Sequence, residues 1–197
     1  MNTLLPTVVV LASGSGTLAQ AIFDDAAQSR DYVVSALVTD KPAAAVVQRA
    51  TTCGVPVIAM PLSDYDTRAA WDQALASQLS QLQPTLVVSA GFMRIFGPAV
   101  LAEFEGRIIN SHPSLLPQFP GAHAVADAMA AGVERTGTTV HLVDAGMDTG
   151  EVLAQVVVDV EPGDTVDSLH ERIKVQERRL IVQVMRERLG LPATARQ

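Results

Sequence analysis

The chain has 197 residues, a formal net charge of -7, and 48% apolar against 18% charged residues. That length supports one full hydrophobic core, and the composition excludes a disordered chain. An acidic balance without a basic stripe argues against nucleic-acid binding, and the single cysteine, Cys53, excludes a disulfide framework or a cysteine-rich metal site.

Leu4 to Ala12 is apolar, but no basic residue precedes it and a glycine turn follows at once. It reads as a first strand, not a secretory signal. No run approaches the roughly 18 apolar residues of a membrane span, so a cytoplasmic protein without membrane contact is expected. Short β-branched runs at Thr7–Leu11, Tyr32–Val38, Pro56–Ala59 and Leu86–Ser89 predict strands. Helical patterns lie between them at Thr17–Gln28, Ala43–Thr52, Ser63–Leu82 and Pro98–Phe104. Cys53 is read as a small residue near a helix end before Gly54, not as a nucleophile. Strand and helix alternating at this spacing predict an α/β fold: a mostly parallel twisted sheet with helices on both faces.

Arg107–Asn110 reads as a fifth parallel strand. The loop Ser111–Gly121 follows, stiffened by Pro113, Pro117 and Pro120. A short helix at Ala124–Ala131 precedes two strands, Thr138–Asp144 and Val152–Val160, which are antiparallel or mixed, with the loop Ala145–Gly150 between them. A long helix from Thr165 to Leu189, with Asp164 or Thr165 as N-cap, closes the chain. No linker or repeat interrupts the pattern, so residues 1–197 are expected to form one domain.

In an open parallel sheet, ligands sit beyond the carboxyl ends of the strands, where strand order reverses. Ser13–Thr17, Gly91–Arg94 and Asn110–Pro113 all follow predicted parallel strands and so share one edge. Gly14-Ser15-Gly16 joins a strand to a helix, which makes a phosphate cradle of free N–H groups. No Lys-Ser or Lys-Thr follows, so it is not an ATP-type loop. It also fits the loose dinucleotide pattern, as Gly14-x-Gly16-x-x-Ala19 with Asp40 after the second strand.

Residues two apart in extended chain point the same way. Asn110 and His112 therefore project together and Ser111 turns away. An amide donor beside an imidazole suits acyl transfer, the amide for growing negative charge on oxygen and the imidazole for a charged donor or a moving proton. A carboxylate partner for His112 is open between Asp144 and Asp148. His123, His141 and His170 lack metal-ligand spacing, and no metal is expected.

Asn110-Ser111-His112-Pro113-Ser114-Leu115-Leu116-Pro117, then Phe119-Pro120-Gly121-Ala122-His123, resembles the signature of the folate-dependent formyltransferases. Gly91-Phe92-Met93-Arg94-Ile95 fits as well, and Asp148 lies where that family carries its third catalytic residue. The resemblance covers the chain from Val8 to about Leu189 and is closest to members acting on phosphoribosylglycinamide. It implies formyl transfer from 10-formyltetrahydrofolate to the glycyl amine of phosphoribosylglycinamide, in purine synthesis, with Asn110, His112 and Asp148 as the catalytic set. By the same resemblance, Gly16, Thr17, Leu18, Lys174 and Glu177 bind the acceptor, and Arg68, Met93, Arg94, Ile95, Phe96 and the Asp144–Asp148 loop bind the folate. The family usually has Asn where this chain has Leu18; a backbone N–H survives that change and a side-chain contact does not.

Other members act on methionyl-tRNA, on amino sugar nucleotides, or hydrolyse formyltetrahydrofolate. A tRNA enzyme is expected to carry a second, basic domain and a hydrolase a preceding regulatory one; neither pattern occurs here. The non-catalytic alternative is a dinucleotide-binding module built on Gly14-Ser15-Gly16, with no need for His112. A homodimer is the base-rate expectation for oligomeric state.

On the final helix, Val166, Leu169, Ile173, Leu180 and Val184 are predicted to form one apolar stripe with Glu177 in its middle. An inward carboxylate is costly unless paired. Glu177 therefore either joins an internal salt bridge or holds a ligand.

Overall fold

The computed structural model describes residues 5–193. Seven strands form one sheet: β1 (Thr7–Leu11), β2 (Val33–Thr39), β3 (Val57–Ala59), β4 (Leu86–Ser89), β5 (Ile108–His112), β6 (Arg135–Leu142) and β7 (Val152–Asp159). Their order is β3-β2-β1-β4-β5-β6-β7. Pairing is parallel from β3 to β5 and antiparallel from β5 to β7. Six helices connect or follow them: α1 (Thr17–Ser29), α2 (Ala45–Thr52), α3 (Arg68–Leu82), α4 (Pro98–Glu103), α5 (Ala124–Ala130) and α6 (Val166–Arg188). The order reverses between β1 and β4, and that switch point opens the crevice where the ligand loops meet.

The continuous apolar runs of β1 and β4 follow from helices on both faces. Val8 and Val10 pack with α1, α2 and α6, whereas Val9 and Leu11 pack with α3 and α4. The same alternation in β5 sends Ile109 to the α6 face and Ile108 to the α3–α4 face.

Several boundaries differ from the sequence expectation. The helix expected from Ser63 begins only at Arg68, because Leu62–Asp64 forms a 3-10 turn and Thr67 then caps α3 through its hydroxyl. β5 extends to His112, because β6 pairs with it as far as His112↔Thr139. A strand bounded at Asn110 therefore becomes one that contains the whole Asn-Ser-His segment. β6 begins earlier than expected, at Arg135. Thr165 caps α6 in a reciprocal capping box with Ser168. Val166, placed on the buried stripe, is 41% exposed, since it sits in the first turn beyond the packed part of the helix.

At the far end of α6, Arg186 is 2% exposed and donates to Asp25 at 3.0 Å and Asp31 at 2.6 Å. This buried ion cluster ties α6 to the α1 end of the sheet. The Tyr32 hydroxyl donates to the Ile22 carbonyl at 2.9 Å, and burial together with Asp25 pushes its ionisation far above the ordinary range.

Candidate functional site

A cavity of about 590 Å³ lies at the switch point, lined by the three loops expected there, by the β6–β7 loop and by α6. β5 supplies its central residues. The 3.6-residue logic of a helix does not apply here; the strand's period of two sends Asn110 and His112 to one side and Ser111 to the other. That division was expected, and the contacts agree with it.

His112 is 5% exposed. Its Nδ1 lies 3.4 Å from Asp148 Oδ2, and its Nε2 lies 2.8 Å from the Phe119 carbonyl oxygen. A carbonyl only accepts, so Nε2 carries a proton. Asp148, not Asp144, is therefore the carboxylate that reaches the imidazole. Asp144 instead accepts from the Gly146 N–H and the Thr149 hydroxyl and shapes the loop.

Asp148 also accepts from the Gly121 N–H at 2.8 Å, and His141 Nε2 is 3.6 Å from its Oδ1. The His141 imidazole outweighs burial, and with Gly121 and His112 it holds the Asp148 carboxyl down to about 2. Asp148 and Phe119 both have positive φ, 55° and 52°. For the bulky Phe119 that conformation is rare, and it turns the carbonyl toward His112.

His141 has a part that sequence reasoning missed. It pairs with Asn110 across the β5–β6 ladder. Its Nδ1 donates to the Leu142 carbonyl at 2.8 Å, and its Nε2 lies 3.2 Å from Asn110 Nδ2 and faces Asp148 Oδ1. That contact sets which way the Asn110 amide faces. The signal lay in the antiparallel register, which only the fold supplies.

On the phosphate-loop side, Gly16 caps α1 with φ 73° and no side-chain cap, leaving the first-turn N–H groups toward the cavity. A Cβ on Gly16 would lie 2.5 Å from Val46 Cγ2, so glycine is required by helix packing as well as by φ. Thr17 and Leu18 line the cavity, but the Leu18 side chain also packs against the core under α1. An apolar residue fits there, and the N–H stays available.

Asp40 is the residue that a dinucleotide site would use for ribose. Its carboxylate is occupied instead, accepting from Ser13 Oγ at 2.5 Å and from Arg94 Nε at 2.7 Å. Ser13 Oγ accepts in turn from the Met93 N–H at 2.9 Å. This relay joins the phosphate loop to the Gly91–Phe96 loop. Met93 and Ile95 are exposed at the cavity rim, whereas Phe96 is buried and stacks on Phe92. Arg68 departs from expectation, for it is not among the residues lining the cavity. It stacks over Trp71 and donates to the Ile95 carbonyl, bracing that loop from outside. Asp72 braces the same loop by accepting from Gly97 N and Ala99 N.

α6 contributes His170, Lys174 and Glu177 to the cavity wall. Lys174 Nζ contacts Glu171 at 2.8 Å. Glu177 is 8% exposed and, among the described residues, has no arginine partner; it accepts from the Ser111 hydroxyl at 2.8 Å. Among the described residues no helix is long and apolar enough to cross a membrane.

Known proteins resemble the chain over most of its length. A family model described as formyl transferase matches residues 7–185. The phosphoribosylglycinamide formyltransferase of Mycobacterium tuberculosis (strain ATCC 25618 / H37Rv) is 52% identical over 175 residues, covering 89% of this chain and 81% of that protein. The protein of the same name from Bacillus subtilis is 40% identical over 183 residues, covering 92% and 94%. The crystal structure of glycinamide ribonucleotide transformylase 1 from Geobacillus kaustophilus superposes with a TM-score of 0.91 at 44% identity, covering 95% of this chain and all (100%) of that one. With a family match spanning nearly the whole sheet and a cleft built from the residues that carry the motif, this chain belongs to the formyl transferase family.

Proposed function

We propose that the protein transfers a formyl group from 10-formyltetrahydrofolate to the glycyl amine of phosphoribosylglycinamide, a step of purine synthesis. The observation that carries this reading is the placement of Asn110, His112 and Asp148 in one cavity with the free N–H groups of the α1 start and with Glu177. One wall offers oxyanion and proton chemistry. The other offers an anion cradle and a carboxylate for hydroxyl or amine groups.

The chemistry needs three things from the chain. The amine lone pair attacks the formyl carbon, and negative charge grows on the formyl oxygen. Asn110 holds an amide N–H toward the cleft, oriented by His141, and stabilises that charge. The His112 ring N–H now donated to the Phe119 carbonyl is the second donor, while Asp148 keeps an anion beside the other ring nitrogen. As the bond from carbon to the folate nitrogen breaks, the proton lost by the amine is returned to that nitrogen, through His112. Gly16, Thr17 and Leu18 hold the phosphate by main-chain N–H groups, with Lys174 near it; Met93, Arg94, Ile95, Phe96 and Asp144 frame the folate side. Arg68 serves the folate by holding the Ile95 carbonyl. The protein is read as acting in the cytoplasm, where a single thiol such as Cys53 stays reduced.

Purified protein with 10-formyltetrahydrofolate and phosphoribosylglycinamide should yield tetrahydrofolate, followed by absorbance, and a formylated acceptor, identified by mass. Turnover with an amino sugar nucleotide and none with phosphoribosylglycinamide would reject the acceptor assignment.

A further inference from the structure

Glu177 sits inside an otherwise apolar helix face, between Ile173 and Leu180, both buried. A carboxylate there needs a partner. Among the described residues no cation supplies one: Lys174 contacts Glu171, and burial pushes the Glu177 carboxyl up even with Ser111, Lys174 and Arg178 opposing. The partner is the Ser111 hydroxyl, at 2.8 Å from Oε1. Ser111 is itself 8% exposed.

The hydroxyl has one proton, and its destination follows from the neighbours. Thr138 Oγ1 lies 3.5 Å away but donates to the His112 carbonyl at 3.2 Å. An ionised carboxylate only accepts, so the Ser111 proton goes to Glu177. The second carboxylate oxygen is left over. Thr136 Oγ1 is the one buried side-chain N or O atom without a partner among the described residues, so Glu177 Oε2, which also has none, is open to the cavity that Glu177 lines.

We propose that Ser111 is a positioning residue for the acceptor: from the face of β5 opposite Asn110 and His112, it holds Glu177 Oε1 so that Oε2 is presented to the acceptor's hydroxyl or amine groups. One strand end thus serves both substrates. Its even-numbered residues face the reacting group, and its odd-numbered residue fixes the acceptor-side carboxylate on α6. The proposal rests on the functional reading above, in which Glu177 contacts the acceptor. A hydrogen bond to a charged group is among the stronger ones, so its loss is readable in kinetics.

The test is a double-mutant cycle on the full chain, with Ser111→Ala, Glu177→Gln and both together. Ser111→Ala is expected to raise the acceptor KM about tenfold, leaving kcat and the folate KM within about twofold, because the effect is on acceptor binding. In the Glu177→Gln background the same change should move the acceptor KM less than about twofold, since the pair acts as a unit. An unchanged acceptor KM in Ser111→Ala, an equal rise in the folate KM, or effects that multiply in the double variant each overturn the proposal. Ser111→Thr keeps the hydroxyl and should hold the acceptor KM within about threefold; a tenfold rise there also overturns it. Absence of wild-type turnover with phosphoribosylglycinamide defeats the functional reading itself, and is distinguishable from a normal wild type with an indifferent Ser111.

Discussion

Asp148→Asn tests the electrostatic centre of the site with almost no change in shape. The carboxylate faces His112 Nδ1 at 3.4 Å and His141 Nε2 at 3.6 Å, and accepts from the Gly121 N–H at 2.8 Å. Led by His141, these groups hold its carboxyl at about 2, against an ordinary 3.8. That displacement corresponds to about 2 kcal/mol, of which ~1 kcal/mol is counted because solvent reaches part of the loop and screens it. A carboxyl depressed in the folded state stabilises the protein fully above its unfolded value near 3.8 and loses that contribution as pH falls toward about 2. Urea unfolding should therefore show wild type more stable than Asp148→Asn by ~1 kcal/mol at pH 7 and by about half of that at pH 3. Turnover should fall about a hundredfold or more, because the anion beside the His112 imidazole is gone. A stability gap of the same size at both pH values, or wild-type turnover in the variant, would refute the assignment of Asp148.

His112→Ala should remain folded by circular dichroism, since Asp148 keeps His141 and the Gly121 N–H, while kcat falls about a hundredfold or more; near-normal kcat would remove His112 from the mechanism. Asp40→Asn should raise the KM of both substrates by ~3–10-fold, because the Ser13–Asp40–Arg94 relay joins the two substrate loops; a change confined to one KM would show that the loops are independent. Arg186→Met leaves Asp25 buried without its cation and should cost about 3–5 kcal/mol in urea unfolding, with both KM values unchanged at temperatures where the variant is folded; altered KM values would show that the cluster reaches the site.

Much of the site was legible from local pattern. The buried runs of β1 and β4, the glycine turn at Ser13–Thr17 and the period-two projection of Asn110 and His112 depend on residues close in sequence, so spacing alone predicts them. An N-cap at Asp164 or Thr165, of which the structure uses Thr165, and an inward Glu177 follow in the same way from local pattern. Other features depend on which distant segments meet. Asp144 and Asp148 have equal chemistry, and only the course of the β6–β7 loop puts the second of them on His112. His141 looks like any strand histidine until antiparallel pairing sets it against Asn110. Arg68, the first residue of α3, braces a loop from outside the cavity through a carbonyl 27 residues away in sequence. Local pattern turns Ser111 away from Asn110 and His112, but only the fold brings α6, 66 residues further along the chain, to meet it there. Periodicity fixes the direction of a side chain relative to its own strand or helix, and tertiary packing alone decides what waits there to meet it.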